Sequence, residues 1–354
     1  MTATPAAPAK TGPRALRGPG RTSLRVEGRA LVAGLLLAVA AVALSVVLIG
    51  TGDFDIAPWD VVKTLLGSGS PADDFIVNDL RLPRVLVALL VGAALGMAGA
   101  VFQSVTRNPL GSPDLLGFGY GSAVGALVVI ILFKGDANAV AVGAVIGGLL
   151  AGVLVYLLAY KQGINGYRLV LVGIGASAVL VALIQYLISK AQLVEATRAM
   201  VWLTGSLAGR DWAQVWPLLA TCAVLFPLVL SRSRALRMIE MGDDAAYALG
   251  VPVERTRMLL MLAAVLLTTA AAAAAGPISF VALAAPQLAR RLSRSPGSNL
   301  LTGALMGAVL LLASDLASQR AFGADQLPVG VVTGLVGGVY LLWLLVMERR
   351  AGRI

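Results

Sequence analysis

The side chains that carry out most protein chemistry are scarce in this sequence, and those present are spaced for docking rather than catalysis. There is no histidine, which removes every Ser-His or Cys-His nucleophile pair and any His-ligated metal or haem. The single cysteine, Cys222, lies in an apolar run and can form no intrachain disulfide. None of the five lysines follows a glycine, so a Gly-Lys phosphate-binding loop cannot be written. What remains is a mixture of carboxylates and guanidinium groups from Ser231 to Arg257, SRSRALRMIEMGDDAAYALGVPVERTR, flanked on both sides by apolar runs. Met241-Gly242 breaks it, Asp243 and Asp244 suit the first turn of a second short helix, and Gly250 with Pro252 stops that helix. Such a compact polar element on an apolar chain is a candidate docking surface. A loop kept in water by its own charge is the other reading of the segment taken alone.

The elements that must hold this segment are membrane spans. A chain 58% hydrophobic and only 13% charged, with mean hydropathy +0.87, lies outside the soluble range. Continuous apolar runs of about 20 residues exclude an alternating barrel and give an all-α, polytopic membrane protein. Forty glycines suit helices that approach closely in lipid. Residues 1–29 read as a disordered basic tail, and 30–350 as the transmembrane domain, with 231–257 as its polar loop. The run Ala30 to Gly50 is long for a signal core and lacks a cleavage site, so it reads as a retained first span. Nine more follow: Val85 to Val105, Leu115 to Phe133, Ala139 to Tyr160, Leu169 to Ile188, Ala213 to Leu230, Met258 to Ala275, Ile278 to Ala289, Leu300 to Ala317 and Val329 to Met347. The eighth, after the Gly276-Pro277 break, is short and expected to be buried in protein.

Charge orients ten spans with both termini on one side. That side collects 20 of the 28 basic residues but only 7 of the 18 acids, which makes it cytoplasmic by the positive-inside rule. The net charge of +10 is thereby assigned to a membrane face rather than to nucleic acid. On the other side, Thr51 to Leu80 is acidic and turn-rich, and Lys190 to Asp211 carries Trp202, with Trp212 beside it, both suited to the lipid headgroup interface. Asp315 is the main ionisable group within the spans, too little for a proton or sodium relay. If ATP drives this protein, another chain hydrolyses it.

The most distinctive run is RLPRVLVALLVGAALGMAGAVFQSVTRNPLGSPDLLGFGYGSAVGA, from Arg81 to Ala126. Arg81 and Arg84 head a span, Gly92, Gly96 and Gly99 line it, and Asn108-Pro109-Leu110 with Pro113 turns the chain. Taken by itself this is a close-packed helix pair with a Pro-Gly turn. RLPR, the Ala/Gly-rich span, RNPL and LLG together resemble the FecCD family, permeases of iron-siderophore and cobalamin ABC importers. The likeness continues through Gly205-Ser206-Leu207 with Trp212, GDDAAYALGV at 242–251, GPISFVALAAPQLAR at 276–290, Asp315 and LPVGVVTGLVGG at 327–338. Two positions depart from the family pattern: Pro286 is followed by Gln287 instead of His, and Gln319 stands where an Arg is common, with Arg320 next to it.

The resemblance implies a type II ABC importer permease in a bacterial cytoplasmic membrane, two copies or two related chains enclosing one path. Its cargo would be a ferric siderophore, or alternatively haem or cobalamin. An ion-coupled secondary transporter is the reading from another class, and it would require gradient-driven uptake without ATP. The implied partners are ABC ATPase subunits, which bind ATP and Mg while this chain holds no cofactor or metal, an extracytoplasmic binding protein, and membrane lipid. Met241, Gly242, Asp243, Asp244, Ala245, Leu249 and Gly250 are the implied ATPase-docking residues. Arg81, Arg84 and Arg320 would meet the binding protein, and Asn108, Leu110, Gly166 and Tyr167 would form the inner gate.

Overall fold

A computed structural model describes residues 14–17, 23–26, 28–52, 54–114, 116–160, 166–295, 297–321 and 326–350. The expected tail lies largely outside these residues. In its described parts, β1 (Arg14–Arg17) pairs antiparallel with β2 (Ser23–Val26), Arg14 opposite Val26. A lone two-stranded ribbon is marginal in water, so this hairpin contributes little to the fold.

The rest is helical. The chain runs through α1 (Gly28–Gly50), two short helices α2 (Pro58–Leu65) and α3 (Pro71–Asp74), and a π-helical turn, Phe75–Arg81, that continues into α4 (Leu82–Thr106). Then come α5 (Phe118–Val128), extended by π-helical Val129–Phe133, α6 (Ala137–Ala159), α7 (Gly166–Lys190) and α8 (Leu193–Leu203). After α9 (Trp212–Ser231) lie the paired short helices α10 (Ser233–Glu240) and α11 (Asp243–Ala248). The chain closes with α12 (Val253–Ala275), α13 (Val281–Ser293), α14 (Leu300–Arg320) and α15 (Val329–Arg350).

Each of the ten expected spans appears as a helix in its expected order. Among the described residues, seven helices are long and apolar enough to cross a membrane, and Phe118–Phe133 and Val329–Trp343 are shorter apolar helices. The segment expected as a span over Ile278 to Ala289 is shifted and short: α13 has 13 residues. At about 1.5 Å per residue it rises about 20 Å, less than a bilayer core of about 30 Å. Gly276, at φ 76, and Pro277 force the break, and the following helix is buried against its neighbours. Three helices were not anticipated, α2, α3 and α8. α2 starts at Pro58, whose missing N–H costs nothing at a helix head, and α8 fills the Lys190 to Asp211 stretch. Trp212, expected among lipid headgroups, donates its indole N–H to the Asn78 carbonyl at 3.2 Å.

α4 is the axis of the bundle. Its apolar stretch is 89% buried, against 11% for α7, so one helix is core and the other peripheral. Lipid tails are as apolar as leucine, so hydrophobicity alone does not assemble these helices; close backbone approach does. Gly92 and Gly96 face the carbonyls of Gly307 and Gly303 on α14, and Gly99 faces that of Ala282 on α13, with no room for a Cβ. At 25 residues α4 is about 37 Å long, and its two ends carry different chemistry.

Candidate functional site

At the first end of α4, the three arginines expected to meet a binding protein lie together, but two are committed within the chain. Arg81 donates Nη1 to the Ile49 carbonyl and Nη2 to the Phe54 carbonyl, both at 2.7 Å, tying the end of α1 to the start of α4. Arg84 grips Asp315 of α14 with two bonds, Nε to Oδ2 at 3.2 Å and Nη2 to Oδ1 at 2.8 Å. Asp315 is fully buried, and Gln319 also donates to its Oδ2 at 2.9 Å. The amide at the departing position therefore serves the buried aspartate. Arg320 is the exposed member: Nη2 meets Thr51 Oγ1 at 3.1 Å and Asp55 Oδ1 only at 3.7 Å.

At the other end, α4 stops at Arg107, in the left-handed conformation (φ 52). Asn108 Oδ1 then accepts from the Leu110 amide at 2.9 Å, which fixes the turn. Gly166, at the head of α7, comes so near that a Cβ there would stand 2.9 Å from the Thr106 carbonyl oxygen. The fold thus brings Gly166 to the Asn108–Leu110 turn. Tyr167, 80% exposed, points away from the core. Gln287 supplies an amide clamp: Nε2 donates to the Pro109 carbonyl at 2.8 Å and to Gln103 Oε1 at 2.9 Å, while Gln103 donates to the Leu283 carbonyl at 3.0 Å.

The segment expected to dock an ATPase folds as two short helices joined by a turn. Gly242, at φ 121, turns the chain between α10 and α11, where a residue with a Cβ would be strained. Leu236, Ile239, Ala246 and Val253 bury its underside. Its outer face shows Met241, Tyr247 and Leu249, with Asp244, Ala245 and Gly250 exposed among them. Asp243 points the other way. It accepts from Arg257 Nη2 at 2.8 Å and pairs with Arg107 at 3.5 Å, while Arg257, 2% exposed, also holds Glu254 at 3.0 Å. The element is thereby bolted to the ends of α4 and α12 through two arginines that sequence reasoning counted only as surface charge.

Between the ends lies a mostly apolar cavity of about 490 Å³, lined by Leu95, Asp114, Gln185, Thr268, Ser279 and Gly330 among others. Asp114, within hydrogen-bond reach of the Ser112 hydroxyl at 3.4 Å, is the acid on its wall. Its sequence signal, an Asp after Pro113 in a turn, gave no hint that the turn folds back to the level of Leu95.

A cavity inside a bundle of helices apolar enough to cross a membrane is an arrangement that suits a membrane permease. Residues 31–347 match the FecCD transport family, and the chain belongs to it. It is 47% identical over 325 residues to the ferric enterobactin transport system permease protein FepG of Escherichia coli, covering 92% of this chain and 98% of that one. It is 38% identical to the Fe(3+)-citrate import system permease protein YfmE of Bacillus subtilis (93% and 99% covered) and 35% identical to the vitamin B12 import system permease protein BtuC of Escherichia coli (79% and 86%). A solved inward-facing metal-chelate type ABC transporter superposes with a TM-score of 0.78 at 27% identity, over 90% of this chain and 99% of that chain. The expected permease fold is that of this structure.

Proposed function

We propose that this chain is the permease subunit of an ATP-driven importer that moves a ferric siderophore across the bacterial cytoplasmic membrane. The observation that carries the cargo is the 47% identity to the ferric enterobactin permease along 92% of the chain. The Arg107 end of α4 is the cytoplasmic end, with both termini on that side, and the α10–α11 element is the ATPase socket. Its contact face is Met241, Asp244, Ala245, Tyr247, Leu249 and Gly250; Gly242 shapes the turn, and Asp243 transmits the push to α4 and α12. ATP and Mg stay with the ATPase subunits. At the opposite end Arg320 is the contact for a binding protein, with Arg81 and Arg84 holding the platform beneath it. Asn108, Leu110, Gly166 and Tyr167 form the inner gate, and α7, with its open face, meets a second permease chain.

The likeness to the vitamin B12 permease supports cobalamin as the second cargo. The test is uptake of radiolabelled ferric catecholate siderophore by cells lacking their own permease and supplied with this chain, its ATPase and its binding protein. Uptake that excess cobalamin and haem leave unchanged is expected. Cobalamin or haem uptake without siderophore uptake would overturn the cargo.

A further inference from the structure

Beside the Arg107 end of α4 is a second cavity, of about 360 Å³, separate from the one lined by Leu95 and Asp114. It lies between α4, α10 and α13 and is lined by Gln103, Ser104, Arg107, Glu240, Arg290 and Gly297 with neighbours. Two of its polar groups are shielded from solvent and have no hydrogen-bond partner among the described residues: the hydroxyl of Ser104, which is 1% exposed, and Nε of Arg290. A buried donor without an acceptor costs free energy, and a wall that holds two of them suits a ligand that supplies acceptors. Arg107 brings a second guanidinium, half-exposed and reaching Asp243 only at 3.5 Å. Among the lining side chains two guanidinium groups stand with the one carboxylate of Glu240, and Asp243, behind Arg107, is the second acid nearby. The planar fork of arginine matches the paired oxygens of a phosphate, and a serine hydroxyl donates to a third.

We propose that this cavity binds a phosphate-class oxyanion, whether free phosphate or the headgroup of an anionic phospholipid. Arg290 is the principal ligand, and Ser104 and Arg107 complete the set. Because Arg107 also pairs with Asp243, a bound oxyanion competes for the arginine that links α4 to the docking element.

The test is titration of the purified full chain in maltoside micelles, a phosphate-free detergent, with potassium phosphate against potassium chloride of matched ionic strength. Thermal unfolding and phosphorus NMR line width are followed together. Saturable stabilisation and broadening by phosphate are expected, with the apparent Kd raised about tenfold in Arg290→Gln and less in Ser104→Ala, a loss of roughly one charge-assisted bond. Arg290→Lys keeps the charge and should recover part of the affinity. If Arg290→Gln does not fold, Ser104→Ala and Arg290→Lys carry the comparison. Short-chain phosphatidylglycerol is titrated in parallel; stabilisation by it and not by phosphate, again weakened in the variants, assigns the site to a headgroup. Equal shifts with chloride, or responses that are the same in wild type and all variants, would overturn the proposal.

Discussion

Both ends of α4 are held by a charged knot with one buried member, but the knots are built in opposite senses. At the Arg81 end the buried partner is an anion, Asp315, held bidentately by Arg84 and capped by Gln319. At the Arg107 end the buried partner is a cation, Arg257, and its anion Asp243 is shared with a second arginine on another element. A bidentate pair whose acid has no water around it has one low-energy arrangement. A shared aspartate that is one-third exposed has two, because either arginine can hold it alone. The contrast separates an end held by one bidentate pair between α4 and α14 from an end whose aspartate is shared between arginines of two elements.

The comparison breaks most decisively at the Arg81 end. Arg84→Leu strands the buried Asp315 charge, and removing one partner of such a pair costs about 3–5 kcal/mol. Adding Asp315→Leu should return most of that loss, since an apolar replacement of both partners is often neutral. Thermal unfolding in detergent reads both; a stable single variant would mean that the knot does not hold α4 to α14. At the other end Arg257→Gln should cost less, about 1–3 kcal/mol, because Asp243 and Glu254 can turn to water. Its larger effect is expected on transport, with uptake lost while the ATPase subunits still bind. If complex formation is lost together with uptake, the two arginines shape the docking face itself.

A second pair of variants sharpens the division within the α10–α11 element. Leu249→Asp puts a charge on the outer face and should weaken ATPase binding by about tenfold or more, the effect of a desolvated apolar contact. Asp243→Asn leaves that face intact, so affinity in pull-down or light-scattering titration should stay near wild type while ligand-stimulated ATP hydrolysis falls. Equal affinity losses in the two would mean that Asp243 touches the partner after all.

Local signals made much of this readable. The break at Gly276-Pro277, the turn at Met241-Gly242 and the stop at Gly250 are properties of single residues, and each sits in the structure where its backbone requirement places it. The small-residue face of α4 was legible as a pattern too, though which carbonyls it meets was not. Long-range pairing was illegible: Arg84 and Asp315 are separated by 231 positions, and nothing local to either says that one charge cancels the other. Arg257 shows the same limit. It sits at the edge of a polar segment, three residues from Glu254, and reads as a solvated helix head; the fold makes it almost wholly buried. Asp114 is illegible for a different reason: it follows Pro113 in what reads locally as a turn between spans, and that turn folds back into the bundle to share a cavity wall with Leu95.

The smallest expected effect concerns the exposed rim of the Arg81 end. Reversing Arg81 or Arg84 would confound docking with folding, because one tethers α1 and the other neutralises Asp315. Arg320 separates the two. Its side chain is 59% exposed and its acidic neighbour Asp55 is more exposed still, so the pair between them is weak in water. Arg320→Glu should therefore leave the unfolding midpoint within error of wild type. In the reconstituted transporter it should slow association with the binding protein, a rim effect of about 0.2–1 kcal/mol that acts on encounter rather than on residence time. Charge steering is screened over about 10 Å at 0.1 M salt, so wild-type association should fall as salt rises, and the variant's dependence should be flatter. An unchanged rate with an unchanged salt slope would leave Arg320 with its contacts to Thr51 and Asp55 within the chain. The face that receives the binding protein would then have to be sought away from this end of α4.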